Sequence, residues 1–248
     1  MGGLVPFLKA YIASPINAAK QLMAKRDMVT AIILLAIQAI VSGLVIFSLL
    51  SKICSVISDM VFAGMGLSGL GSLASAALPS VGPSFIMSLI WGIVASVVAI
   101  AVFVVVVFGV AKLMKANCTI QDVLTLCGAH SLFVTALLFV SFILFFLSLQ
   151  LGIIFFVAAL IAWMVMGVVT VQTITTDMAS GKFWMLLIAG MLVTLLVSGF
   201  VGSKCVGGAV NAISISAQGQ SISIGEIMES EGASITDMIG GAFSDMFS

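Results

Sequence analysis

Charge is what this chain has least of. Of its 248 residues only 7% are Asp, Glu, Lys or Arg, whereas 62% are hydrophobic. A soluble domain carries roughly a quarter charged residues, so a water-solvated globule is excluded. Nine Lys and Arg balance nine Asp and Glu, which removes the cationic footprint that nucleic-acid binding needs. One His and four Cys leave little material for a metal site, and none has ligand spacing. No cofactor is expected. What is abundant is apolar surface, with a mean hydropathy of +1.36. The chain reads as an integral membrane protein.

The charge-free runs measure the spans. Between Asp27 and Lys52 lie 24 uncharged residues, about 36 Å of helix against a hydrocarbon core of about 30 Å. Between Lys182 and Lys204 lie 21, again one span, and between Asp122 and Asp177 lie 54, enough for two. A tight turn at Leu149-Gln150-Leu151-Gly152 is expected to divide that pair, since Gly permits the reversal. From Asp59 to Lys112 the second half is a clear span. The first half is Gly, Ser and Ala with Pro79 and Pro83, which favours a loop or re-entrant segment over residues 60–83.

Cation placement decides the count. With five spans and the N-terminus inside, Lys9, Lys20, Lys25, Arg26, Lys112, Lys115 and Lys182 fall inside and only Lys52 and Lys204 outside. A sixth span would nearly equalise the two sides, against the positive-inside rule. The expected fold is therefore an all-α membrane protein, a five-span transmembrane helix bundle with a small extramembrane hairpin and helix at its C-terminus. Its spans lie over about 29–51, 85–111, 123–149, 151–173 and 183–203. Residues 1–28 form a basic cytosolic segment and residues 204–248 an acidic extracytoplasmic tail, in the cell membrane.

The two ends carry their own signals. Residues 7–26 predict a short surface helix, with Phe7, Tyr11, Ile16, Ala19, Leu22 and Met23 as its apolar stripe on the lipid. Lys9, Lys20, Lys25 and Arg26 are then placed to meet anionic lipids of the inner leaflet. Residues 212–224 alternate around Gly219, the pattern of a β-hairpin, which is marginal in water unless it rests on something. Ile235, Met238, Ile239, Phe243, Met246 and Phe247 recur at helical spacing after Ser234, a candidate N-cap. This acidic tail suits a protein surface better than an anionic bilayer.

Candidate chemistry is sparse. Gly66-Leu67-Ser68-Gly69 together with His130 resembles the serine–histidine dyad of rhomboid intramembrane proteases. In this topology, however, Ser68 lies at the outer surface and His130 roughly 12 Å in from the inner side. A dyad needs hydrogen-bond contact, so no catalytic residue is assigned and the chain is expected not to be an enzyme. His130, Gln38 and Gln172 make a candidate polar intramembrane site. A neutral His bonded across a helix interface is the simpler reading, a proton-handling group the sharper one. No Asp, Glu, Lys or Arg sits in the interior of a span, which disfavours an ion-coupled pump. Cys54 and Cys205 both follow a span on the outer side, where a disulfide is expected to join them. Gly92 with Ser96, Gly190 with Thr194 and Ser198 with Gly202 permit close helix packing.

One resemblance follows from the order of these features. Phe7-Leu8-Lys9-Ala10-Tyr11-Ile12-Ala13-Ser14-Pro15-Ile16-Asn17-Ala18 leads through Lys25-Arg26-Asp27 into the first span. Val110-Ala111-Lys112-Leu113-Met114 closes the second, and Thr119 through His130 opens the third. This resembles the Ypt-interacting-protein (YIP) family in its bacterial form, over about residues 7–203. That family usually has Gly-Tyr-Ala and a Pro at the entry to the third span. Gly128 matches, Ala129-His130 replace Tyr-Ala, and the Pro is missing. The resemblance implies five spans and a cytosolic N-terminus but no catalytic residue. The function expected is a non-enzymatic membrane scaffold, bound to lipid and to another membrane protein or a second copy of itself. A component of a transporter or channel is the alternative.

Overall fold

The computed structural model describes residues 4–64, 80–174, 181–211, 213–217 and 220–223. Its elements are α1 (Leu4–Ala13), α2 (Pro15–Ala24), α3 (Met28–Gly64), β1 (Ser80–Pro83), α4 (Phe85–Leu113), α5 (Ile120–Leu147), α6 (Leu149–Ile174), α7 (Gly181–Asn211), β2 (Ile213–Ala217) and β3 (Gln220–Ser223). Five of these helices contain segments long and apolar enough to cross a membrane: Met28–Ser55, Phe85–Leu113, Ile120–Leu147, Leu149–Ile174 and Phe183–Ala209. The fold is the all-α five-span bundle read from the charge-free runs. Ser68 and the expected helix over 235–247 lie outside the described residues.

Each span begins and ends for a local reason. Asp27 caps α3, its carboxylate accepting from the Thr30 amide at 3.1 Å and the Thr30 hydroxyl at 2.9 Å. Thr119 and Asp122 form a reciprocal capping box on α5: the Thr119 amide donates to Asp122 at 2.8 Å and the Asp122 amide to the Thr119 hydroxyl at 3.3 Å. Helices α2 and α4 end in Schellman turns on the same face of the bundle. In the first, the Asp27 amide reaches the Leu22 carbonyl and Arg26 reaches Met23. In the second, Ala116 reaches Ala111 and Lys115 reaches Lys112. The left-handed position of this motif usually holds Gly. Here it holds Arg26 at φ 49° and Lys115 at φ 58°.

Helix α3 is the centre of the bundle, packed against α4 on one side and α5 on the other. Helix α6 packs on α5, and α7 lies along α4. A β-carbon built on Gly92 of α4 would stand 2.5 Å from the Gly43 Cα of α3, so these two backbones touch only because both side chains are missing. The turn between α5 and α6 is tighter than its sequence suggests. Leu149 to Gly152 form the first turn of α6, and Ser148 alone, in extended backbone, separates the helices. Gly152 serves packing instead: its α-hydrogens face the Phe145 ring, and its carbonyl accepts from the Ser141 hydroxyl at 2.8 Å.

Two parts of the ends differ from expectation. Residues 7–26 are two helices, divided at Ser14 where Pro15 starts α2. Their stripe faces protein: Phe7, Tyr11, Ala19 and Leu22 are buried with Ala31, Leu34, Leu126 and Ala129 of α3 and α5. Ile12, 82% exposed, and Ile16 form the outward side. The expected hairpin is present as β2 and β3, with Ile215 opposite Ile222. It rests on a third strand that the Gly- and Ser-rich run concealed. β1 pairs antiparallel with β2, from Ser80 opposite Ser216 to Pro83 opposite Ile213. Pro83 is tolerated because β1 is an edge strand. With five crossings, the sheet lies at the opposite end of the bundle from α1 and α2; these ends are termed the sheet face and the N-terminal face.

Candidate functional site

The polar centre of the bundle gathers around His130 on α5. His130 is 2% exposed and Gln38 of α3 6% exposed, and both line one void of about 10 Å³ between α3, α4, α5 and α6. A void of this size admits about one water molecule. Cys127 and Ser131 on α5 and Met166 and Thr170 on α6 share it. They reach it by helical spacing, since residues three or four apart fall on one face. Neither His130 nitrogen has a hydrogen-bond partner among the described residues. The Ser131 and Thr170 hydroxyls donate to carbonyls of their own helices, Gly128 and Met166, each at 2.7 Å. Their lone pairs remain available as acceptors.

Gln172 belongs elsewhere. It is half-buried and does not line this void, because two residues on from Thr170 is more than half a turn around α6. The structure thus brings His130 and Gln38 together and leaves Gln172 apart. Cys127, Met166 and Thr170 complete the site, and only their spacing relative to a known partner helix would have revealed them.

A second polar cavity opens at the N-terminal face. It measures about 310 Å³ and is lined by Arg26, Asn117, Cys118, Asp122 and Thr173. Burial raises the Cys118 thiol pKa above its ordinary value, with the Lys112 charge acting in the opposite direction. Thr173 lies three residues along α6 from Thr170, about 4.5 Å of rise. Along α6 the two polar spaces are therefore about one helical turn apart; Val123 and Val171, which fall between their lining residues in sequence, are buried in one apolar cluster with Cys127 at the floor of the void.

Lys9, Lys20, Lys25 and Arg26 are all exposed at this face, on α1, on α2 or in the turn after α2, and the apolar side of both helices is already taken up by the bundle. A third cavity of about 530 Å³ is an apolar groove between α3, α4 and α5, with Ile32, Ala36, Val97 and Val104 in its walls. Cys54 and Cys205 stand in the structure as buried thiols. No set of three His, Cys, Asp or Glu side chains is arranged to hold a metal ion among the described residues. No protein family, curated protein or solved structure matches the chain.

Proposed function

We propose that the chain is a non-enzymatic scaffold or partner-binding protein of the cell membrane, with its N-terminus in the cytoplasm and its tail outside. The observation that supports this reading is the tightness of the polar centre. At about 10 Å³ it admits a water and is too narrow for a solute in transit. Helix α7 provides a partner surface of the right kind: it lies along α4, while Met185, Leu192, Leu196 and Phe200 are exposed along its length. In lipid such a face associates by close packing, not by hydrophobic burial. The exposed cations of α1 and α2 suit anionic lipids of the inner leaflet. The resemblance to the YIP family agrees with this reading.

The transport alternative rests on one observation, the buried polar void at His130. The two readings separate in one preparation. Scaffolding predicts a stoichiometric membrane partner, or a second copy, crosslinked to α7 through a photoreactive residue at Leu196. It also predicts no solute flux in proteoliposomes of the purified chain. Flux of a defined solute, lost when the void is blocked by Thr170→Phe, would establish transport instead.

A further inference from the structure

His130 poses a hydrogen-bonding problem that the protein alone does not solve. A neutral imidazole has one donor and one acceptor nitrogen. Both are shielded from solvent here, and neither has a partner among the described residues. Leaving such buried groups unsatisfied is unfavourable, because their hydration is lost and nothing replaces it. The void beside the ring matches one water in size, and a water needs two to four polar neighbours to stay. Gln38, Ser131 and Thr170 line the same void. The two hydroxyls already donate elsewhere and can only accept, while imidazole and amide can each donate and accept. Between them these groups offer the two acceptors and two donors that one water can use.

We propose that this void is a site for one water molecule that exchanges protons with the His130 imidazole and is itself replaced from the aqueous phase at the N-terminal face, through the layer of Val123, Cys127 and Val171. The direction follows from the neighbouring polar space. The cavity of Arg26, Asn117 and Asp122 ends at Thr173, and Thr170, one turn further on, lines the void. Towards the sheet face α5 presents Val134 and Leu138 instead, both buried in an apolar cluster with Phe145 and Ala159. Cys127, on His130's own helix, is the other titratable group lining the void. From α3 and α6 come the uncharged Gln38 and Thr170, and no charged side chain faces the ring. The ring N–H gives its proton to the bound water and takes one of the water's own protons back at the same nitrogen, so the exchange leaves both His130 and the water neutral.

The inference is independent of the scaffold reading, because its readout is proton exchange and neither partner nor flux affects it. His130 is the only histidine in the chain, so histidine-selective ¹⁵N labelling of the full chain in lipid nanodiscs yields one imidazole. The wild type is expected to show magnetisation transfer between water and the imidazole N–H. Gln38→Leu should weaken that transfer. Val171→Ala, and independently Val123→Ala, should speed it about tenfold by thinning the layer. Leu138→Ala, on the other side of the ring, should leave the rate as it is. No transfer in the wild type would overturn the water site. An acceleration by Leu138→Ala equal to that by the valine variants, or none by either valine variant, would overturn the route.

Discussion

Gly128 of α5 lies so close to Ala31 of α3 that a β-carbon built on it would stand 2.7 Å from the Ala31 Cβ. Ala31 and Gln38 are seven residues apart on one stripe of α3, and His130 lies two residues beyond Gly128 on α5. The Gly128 contact therefore joins the two helices that carry Gln38 and His130.

Filling that contact should separate the two helices. Gly128→Val inserts three carbons where the Ala31 backbone and side chain already stand, and overpacking of this kind costs about 1–3 kcal/mol or more. The variant should unfold at lower temperature in detergent, with Gly128→Ala intermediate. An unchanged midpoint for both would mean that α3 and α5 are not held at this distance.

The Gly43–Gly92 contact predicts the same for α3 and α4. Gly92→Ala should destabilise the bundle, because its new carbon meets the Gly43 backbone and has no flexible side chain to displace. Gly109, on the same helix α4, has nothing within 4 Å of a built β-carbon. Gly109→Ala should therefore be neutral or gain up to about 1 kcal/mol from helix propensity. Thermal midpoints of the two variants, measured side by side, distinguish a packing glycine from a tolerant one.

The left-handed cations predict a gain on substitution. Lys115 at φ 58° holds a conformation that costs an L-residue about 1–2 kcal/mol relative to Gly. Lys115→Gly should raise the unfolding midpoint by removing that strain, although it also removes a favourable charge near the end of α4. If it lowers the midpoint instead, the lysine side chain contributes more than its backbone costs. That outcome would point to a charge partner at this face.

The spans were legible because their signal is local. A run of more than twenty uncharged residues has few destinations besides a bilayer, and all five such helices are found. The hairpin was legible from its alternation. Its third strand was not, because Ser-Val-Gly-Pro at 80–83 is too short and too rich in turn residues to show a period. The stripe of Phe7, Tyr11 and Leu22 was legible as a stripe, but an apolar face reads alike whether lipid or protein covers it. Of the three small-residue pairs, Gly92 and Gly190 meet neighbouring helices, whereas Gly202 has nothing within 4 Å. Spacing along one helix does not reveal which side its neighbour takes. That Gln38 and His130 line one void depends on the packing of α3 against α5, a long-range contact that no single-helix pattern encodes.

Tyr11 makes the stability of the folded chain depend on pH. Its hydroxyl is buried where α1 folds onto the bundle, without a partner among the described residues. Burial opposes the phenolate and pushes the pKa from 10.0 up to about 12. The folded state then holds this proton more tightly than the unfolded state does. Stability contributed by the neutral phenol is complete below pH 10 and is lost as pH rises towards 12. Because Tyr11 is the only tyrosine, tyrosinate absorbance follows this one group. It should titrate near 12 in the folded protein and near 10 after denaturation. Tyr11→Phe removes the unsatisfied hydroxyl and keeps the ring that packs 5.7 Å from Phe7. It should leave stability at neutral pH equal or higher by about 1 kcal/mol and flatten the loss between pH 10 and 12. A titration near 10 in the folded protein would instead mean that α1 stands away from the bundle and Tyr11 is in water.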